Sequence, residues 1–278
     1  MNLIGLVVIA VCLSIAMMVA WWVQRRTGAS GWVDAIWSFA VGLGGLAAVL
    51  LADGDFTLRK AALIVLVGFW SLRLGGHIAT RTAKGGDDPR YKQLSEEWGE
   101  AFPRRLFLFL QIQAVAGLAL AVSVQAAASN MAEFPGVLDM IAVLVAIIAV
   151  VGEGIADRQL ARFKAQPHAK GAICEKGLWG WSRHPNYFFE WLFWCALPFL
   201  AASLADARLS SLLSLLAPLM MYWLLVHVSG IPPLEAHMQR SRGAAFRDLQ
   251  QRVNAFFPGP PKRGAGHSSS QSARETRP

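Results

Sequence analysis

Residues 181–191 read "WSRHPNYFFEW", and the apolar run "LFWCALPFLAASL" follows at once. Pro185 suits the first turn of a helix, where its missing N–H costs nothing. A helix starting there turns free N–H groups and the positive end of its dipole toward its surroundings. With Arg183 and His184 beside it, that end attracts an anion. Asn186 and Glu190 stand four apart and share a face, while Tyr187 offers a ring for stacking and a hydroxyl. An anion-binding mouth with a polar face one turn deeper suits a phosphorylated cofactor that also carries an amide, ribose or amine portion. The competing structural reading is a helix cap with Trp and Tyr anchored at a membrane interface.

Three other stretches set ionisable groups in apolar surroundings, where they are costly and mark functional sites. "WSLRLGGHIATRT" puts Trp70, Arg73, His77 and Arg81 at spacings of three, four and four, one stripe of one helix. Arg81 can reach solvent along its stem, but Arg73 lies two turns deeper and needs a partner. Asp34 in "GWVDAIWSF" is the candidate, and Trp37 shares its face. "EGIADRQLARFK" sets Glu153 and Asp157 four apart, a pair of like charges that needs a cation or a shared proton. Arg158, Arg162 and Lys164 follow within about two turns. Together these residues predict a polar cavity open at one end of a helix bundle, with Trp37, Trp70 and Arg73 in the wall of a substrate pocket.

The elements that must hold them are transmembrane helices. The chain is 55% hydrophobic and 16% charged, against about 25% charged residues in soluble domains. Spans need about 20 apolar residues, and seven segments qualify, roughly 3–23, 31–51, 59–80, 105–127, 136–157, 186–204 and 209–229. Pro198 and Pro218 are expected to kink the last two. The first segment has no basic residue before it and Arg25-Arg26 after it, so it reads as a retained anchor rather than a signal peptide. Cys12, Cys174 and Cys195 lie far apart, with neither a disulfide framework nor metal-ligand spacing.

The formal charge of +8 follows from loop alternation and does not call for nucleic acid. Arg and Lys gather after the first, third, fifth and seventh segments, and only Arg59, Lys60 and Arg208 fall on the opposite side. Under the positive-inside rule this predicts an outside N-terminus and a cytoplasmic C-terminus. Beyond the last span, Phe246, Leu249, Val253 and Phe256 recur at helical spacing, an amphipathic helix expected at the cytoplasmic interface. From Pro258 onward no apolar periodicity remains, and a disordered basic tail is expected at 258–278. The fold class is therefore an all-α polytopic membrane protein with one domain over residues 1–257.

The stretch "GLWGWSRHPNYFFE" at 177–190 resembles a superfamily of membrane enzymes that includes steroid 5α-reductases, sterol reductases and isoprenylcysteine carboxyl methyltransferases. The likeness is strongest to a bacterial branch of unknown function carrying the steroid 5α-reductase C-terminal domain. It runs through "VDAIW", "WSLRLGGHIATR", "DDPRYKQLSEEWG", "EGIADRQLARFK", "VSGIPPLE" and the late "FFP". The resemblance implies a bacterial inner-membrane reductase that uses NADPH on a carbon–carbon double bond of a lipid-soluble substrate. The resemblance implies cofactor contacts at Asp157, Arg162, Lys164, Asn186, Tyr187 and Glu190, and the reading of the residues adds Arg81, Glu153, Arg183 and His184. Two features depart from the reductases: no Gln-Glu pair occurs in the second segment, and "HIATR" has Ile78 where they carry Tyr. Asp34 and His77 are the nearest replacement donors. The same likeness leaves two alternatives, a methyltransferase using S-adenosylmethionine and a non-enzymatic transport or assembly protein.

Overall fold

Helix boundaries follow local chemistry. In the computed structural model, which describes residues 1–85, 88–169, 171–203 and 209–262, Asn2 caps α1 (Leu3–Thr27) by accepting from the Gly5 N–H, and Gly28 ends it with φ of 70°. α2 is Gly31–Leu50. Thr57 caps α3 (Leu58–Ala83) by accepting from the Lys60 N–H. Asp88 caps α4 (Pro89–Trp98), with proline in the first turn. α5 (Phe102–Ala128) and α6 (Val137–Lys164) follow. All described regular structure is helical.

Among the described residues, six helical stretches are long and apolar enough to cross a membrane, one fewer than the seven expected. The exception is 186–204, which forms α7 (Pro185–Trp194) and α8 (Ala196–Ala201), separated at Cys195. Pro198 has no N–H to give the Trp194 carbonyl, so an unbroken ladder is impossible there. The last span is likewise built in pieces: α9 (Leu209–Leu213), α10 (Leu216–Trp223), a π-helical turn over Leu224–Val228, and α11 (Ile231–Arg242).

α1, α2, α3 and α5 pack as one group, and α6, α7 and α8 as another; α10 joins them by packing on α5 and α7. Small residues set the close crossings. A Cβ on Gly42 of α2 would collide with the Oγ and Cβ of Ser71 on α3, and one on Gly45 would come within 2.8 Å of Val67. Large apolar side chains such as Ile4, Leu43, Phe69 and Leu144 face outward, as a lipid-facing surface requires.

α12 (Ala244–Arg252) is the expected amphipathic helix, but its apolar face turns inward. Phe246, Leu249 and Val253 are 2–3% exposed and pack with Ile173 and Met238. Gly243, at φ 54°, reverses the chain between α11 and α12, which lets α12 fold back over the α6–α7 connection instead of lying on lipid. The tail expected at 258–278 lies outside the described residues beyond 262. Its first residues are pinned, with the Gly259 N–H donating to the Trp181 carbonyl at 3.0 Å.

Candidate functional site

The chamber is held open by polar pairs between helices. Trp70 on α3 donates its indole N–H to both Glu190 oxygens, at 2.9 and 3.0 Å, and Trp194 donates to the same carboxylate at 3.2 Å. Arg73, one turn on, pairs with Glu153 of α6 and lies 3.9 Å from Asp157. α3 is thereby tied to α6 and α7 through side chains across a cavity. Glu190 has no cation within ion-pair distance among the described residues, and two indole donors alone hold it.

A second network closes the other wall. Arg90 of α4 pairs with Asp34 of α2 and with Asp88 at 2.9 Å, and it reaches the Ser229 carbonyl at 3.2 Å. Tyr91 donates its hydroxyl to Asp34 at 2.9 Å, and Arg81 donates to Asp88 at 3.0 Å. Burial pushes the Asp88 carboxyl up, but the charge and hydrogen bonds of Arg90, with Arg81, outweigh it and hold the group well below the usual carboxylate range.

Two spaces meet at this wall. The inner chamber has about 940 Å³ of empty volume counted to its mouth. Asp34, His77, Glu153, Asp157 and Glu190 line it, together with Trp37, Gln113 and the apolar Met221, Leu224 and Leu225. The outer vestibule has about 1180 Å³. Arg81, Asp88, Arg90, Asn186 and Tyr187 belong to both linings, so the two spaces form one two-part site. Lys164 and Arg242 stand at the vestibule with Arg81, where the charges of Arg81 and Arg242 both oppose that of Lys164. Neither Lys164 nor Arg242 has an ion-pair partner among the described residues, so the cluster has a surplus of positive charge that an anion relieves.

Several residues expected in the site occupy other roles. Arg183 binds Glu235 through two bonds of 2.7 and 3.1 Å and donates to the Val253 carbonyl at 2.5 Å. The Nε2 of His184 lies 2.9 Å from the same carboxylate. Both residues touch the vestibule, but their donors are engaged in fastening α11 and the chain after α12 to the start of α7. Burial keeps the His184 imidazole below its ordinary pKa, against the pull of Glu235. Arg162 is exposed and lines neither space, since two residues along a helix put it about 200° from Lys164. Trp70 is fully buried behind the chamber wall, and Arg73, partly buried, does not line the chamber either. Arg73 pairs with Glu153, not with Asp34.

Arg81, Glu153, Asp157, Lys164, Asn186, Tyr187 and Glu190 do converge on the two-part site, as do Asp34, His77 and Trp37. Among them the side chains of His77, Asn186 and Tyr187 make no hydrogen bond to a described residue, although each lines the cavity. Asp88, Arg90, Tyr91, Gln113 and Glu235 were not anticipated as site residues. The turn signal in "DDPRY", an Asp cap before Pro, marks a helix start and could have pointed to Asp88 and Arg90.

The family model described as "Protein of unknown function (DUF1295)" matches residues 20–253. The chain belongs to this family. The match runs from the end of α1 through α12 and so takes in every residue of the two-part site. Neither a curated protein nor a solved structure matches the chain.

Proposed function

We propose that this DUF1295 chain is a membrane-embedded reductase that uses NADPH on a carbon–carbon double bond of a lipid-soluble substrate. One observation carries the reading: a cation-rich vestibule shares Asn186 and Tyr187 with a chamber that has both polar and apolar walls. Arg81, Lys164 and Arg242 have the charge to hold phosphate groups, including a 2′-phosphate. Asn186 and Tyr187 have spare hydrogen-bonding capacity for the amide and ribose portions. Met221, Leu224 and Leu225 give the chamber its apolar side, suited to a lipid.

When bound, NADPH supplies a hydride to one carbon of the double bond. The chain's part is to deliver a proton to the other carbon as the π electrons form that C–H bond. Asp34 is engaged by Arg90 and Tyr91 and acts by positioning them. His77 lines the mouth with both ring nitrogens free of hydrogen bonds to described residues, and is the group left to pass a proton inward from solvent. We place this end of the bundle in the cytoplasm of a bacterial inner membrane. The orientation is supported by the opposite end, where the only described cations are satisfied internally. Arg59 is paired with Asp139 at 2.9 Å, and Lys60 is bound by the Ala52 and Gly54 carbonyls at 2.8 Å.

The test is thermal unfolding of the purified full chain with NADPH, NADH or S-adenosylmethionine. A ligand at 100 times its Kd stabilises the folded state by about 2.7 kcal/mol. NADPH is expected to raise the melting temperature more than NADH. Lys164→Ala and Asn186→Ala should each weaken the response. A rise with S-adenosylmethionine alone would overturn the reading in favour of methyl transfer.

A further inference from the structure

Gln113 sits on α5 at the chamber and is 7% exposed. Its side-chain carboxamide makes no hydrogen bond to any described residue, and its Oε1 is wholly enclosed without a partner. A buried carboxamide oxygen in that state destabilises the fold, because it has lost water and gained no partner. His77, Asn186 and Tyr187 of the same lining also keep free groups, whereas other polar side chains on α2, α3 and α7 are engaged. Ser38 donates to the Asp34 carbonyl at 2.8 Å, Ser71 donates to the Ser38 carbonyl at 3.0 Å, and Glu190 accepts from two tryptophans. The backbone at Gln113 is fixed as well, since Trp37 donates its indole N–H to the Gln113 carbonyl at 3.1 Å. A rigid backbone therefore holds an unsatisfied amide at a cavity whose apolar lining includes Trp37, Met221, Leu224 and Leu225.

We infer that Gln113 is the polar anchor of the substrate: it hydrogen-bonds a hydroxyl or carbonyl oxygen on an otherwise apolar ligand. A carboxamide presents both a donor and an acceptor and can turn over to offer either, so it accepts an alcohol or a ketone. It discriminates against the hydrocarbon that lacks the oxygen, which leaves the amide unpaired. Asp34 and Glu190 are already engaged by cations or indoles, and an ionised carboxylate can only accept, so it offers nothing to a ketone. The inference rests on reading the inner chamber as the substrate half of the proposed reductase site, and it names the substrate class of that half.

The experiment uses the full chain in nanodiscs, without nucleotide, and three probes that share one apolar body: farnesol, farnesal and farnesene. Thermal unfolding is followed for the native chain and for Gln113→Leu. The two oxygenated probes are expected to raise the melting temperature more than farnesene, and Gln113→Leu is expected to erase that difference. Without ligand, Gln113→Leu should melt at the same temperature or higher, whereas a glutamine with a structural role would leave the variant less stable. Equal responses to the three probes, no response to any, or a preference for oxygen that survives in Gln113→Leu would each overturn the inference. Repeating the series with NADPH separates the two proposals. Oxygen preference without any nucleotide response would keep Gln113 as a ligand anchor and remove the reductase. A nucleotide response without oxygen preference would do the reverse.

Discussion

Arg73 shows how much of the chamber depends on single buried pairings. Its guanidinium joins α3 to Glu153, whose side chain is 5% exposed. Removing one partner of such a pair leaves an uncompensated charge, at a cost of about 3–5 kcal/mol, whereas replacing both by apolar groups is far milder. Arg73→Met should therefore lower the melting temperature of the purified chain sharply, and adding Glu153→Leu to it should recover most of the loss. A double variant no more stable than Arg73→Met would show that the pair is not coupled. The need of Arg73 for a partner was legible in its depth within an apolar run. The identity of that partner was not. Asp34 was equally acidic and equally placed by sequence, but the rotation of α2 turns it to Arg90, a residue that read only as one more loop cation.

The spacing of apolar residues was enough to locate the helices, but not their closest approaches. Gly42 sits where α2 and α3 cross, and a side chain there would meet the Oγ and the Cβ of Ser71, and the Cβ cannot swing away. Gly42→Val should thus force the helices apart, at a cost of about 1–3 kcal/mol, read as a lowered melting temperature. Gly76→Ala, where a Cβ has open space around it, should be nearly neutral. α12 teaches the complementary lesson. Its apolar stripe at Phe246, Leu249 and Val253 was plain in the sequence, and lipid was the expected neighbour. An apolar stripe says only that water is excluded; the φ of 54° at Gly243 swings the helix onto the α6–α7 connection, so protein takes the place of lipid. The break in α7–α8 was foreshadowed by Pro198 as a kink, although the segment had been expected to span as one helix.

At the scale of the whole molecule, stability should depend on pH through groups at the end of the bundle that carries the site. Asp88 is held below the usual carboxylate range and His184 below the usual imidazole range. In both cases the unfolded chain binds more protons than the folded one, so stability rises with pH where these groups titrate. The His184 contribution is complete above its unfolded pKa, about 6.5, and is lost as pH falls through its lowered folded value. The Asp88 contribution is complete above about 3.9 and is lost at still lower pH. Melting temperature should therefore decline from pH 7 to pH 5, and His184→Gln should flatten that decline; an equal slope in the variant would exclude His184 as its source. The sequence alone determined that this chain lives in a membrane, where its helices run, and that one end collects the free cations. Those follow from the transfer of apolar segments out of water and from charge counted along the chain. The tertiary structure decided which carboxylate meets which arginine, that Arg183 and His184 serve as fasteners for Glu235, and that the Gln113 amide is left without a partner. Such outcomes depend on the rotation and depth of each helix against its neighbours, which arise from packing in three dimensions and leave no periodicity in a single strand of text.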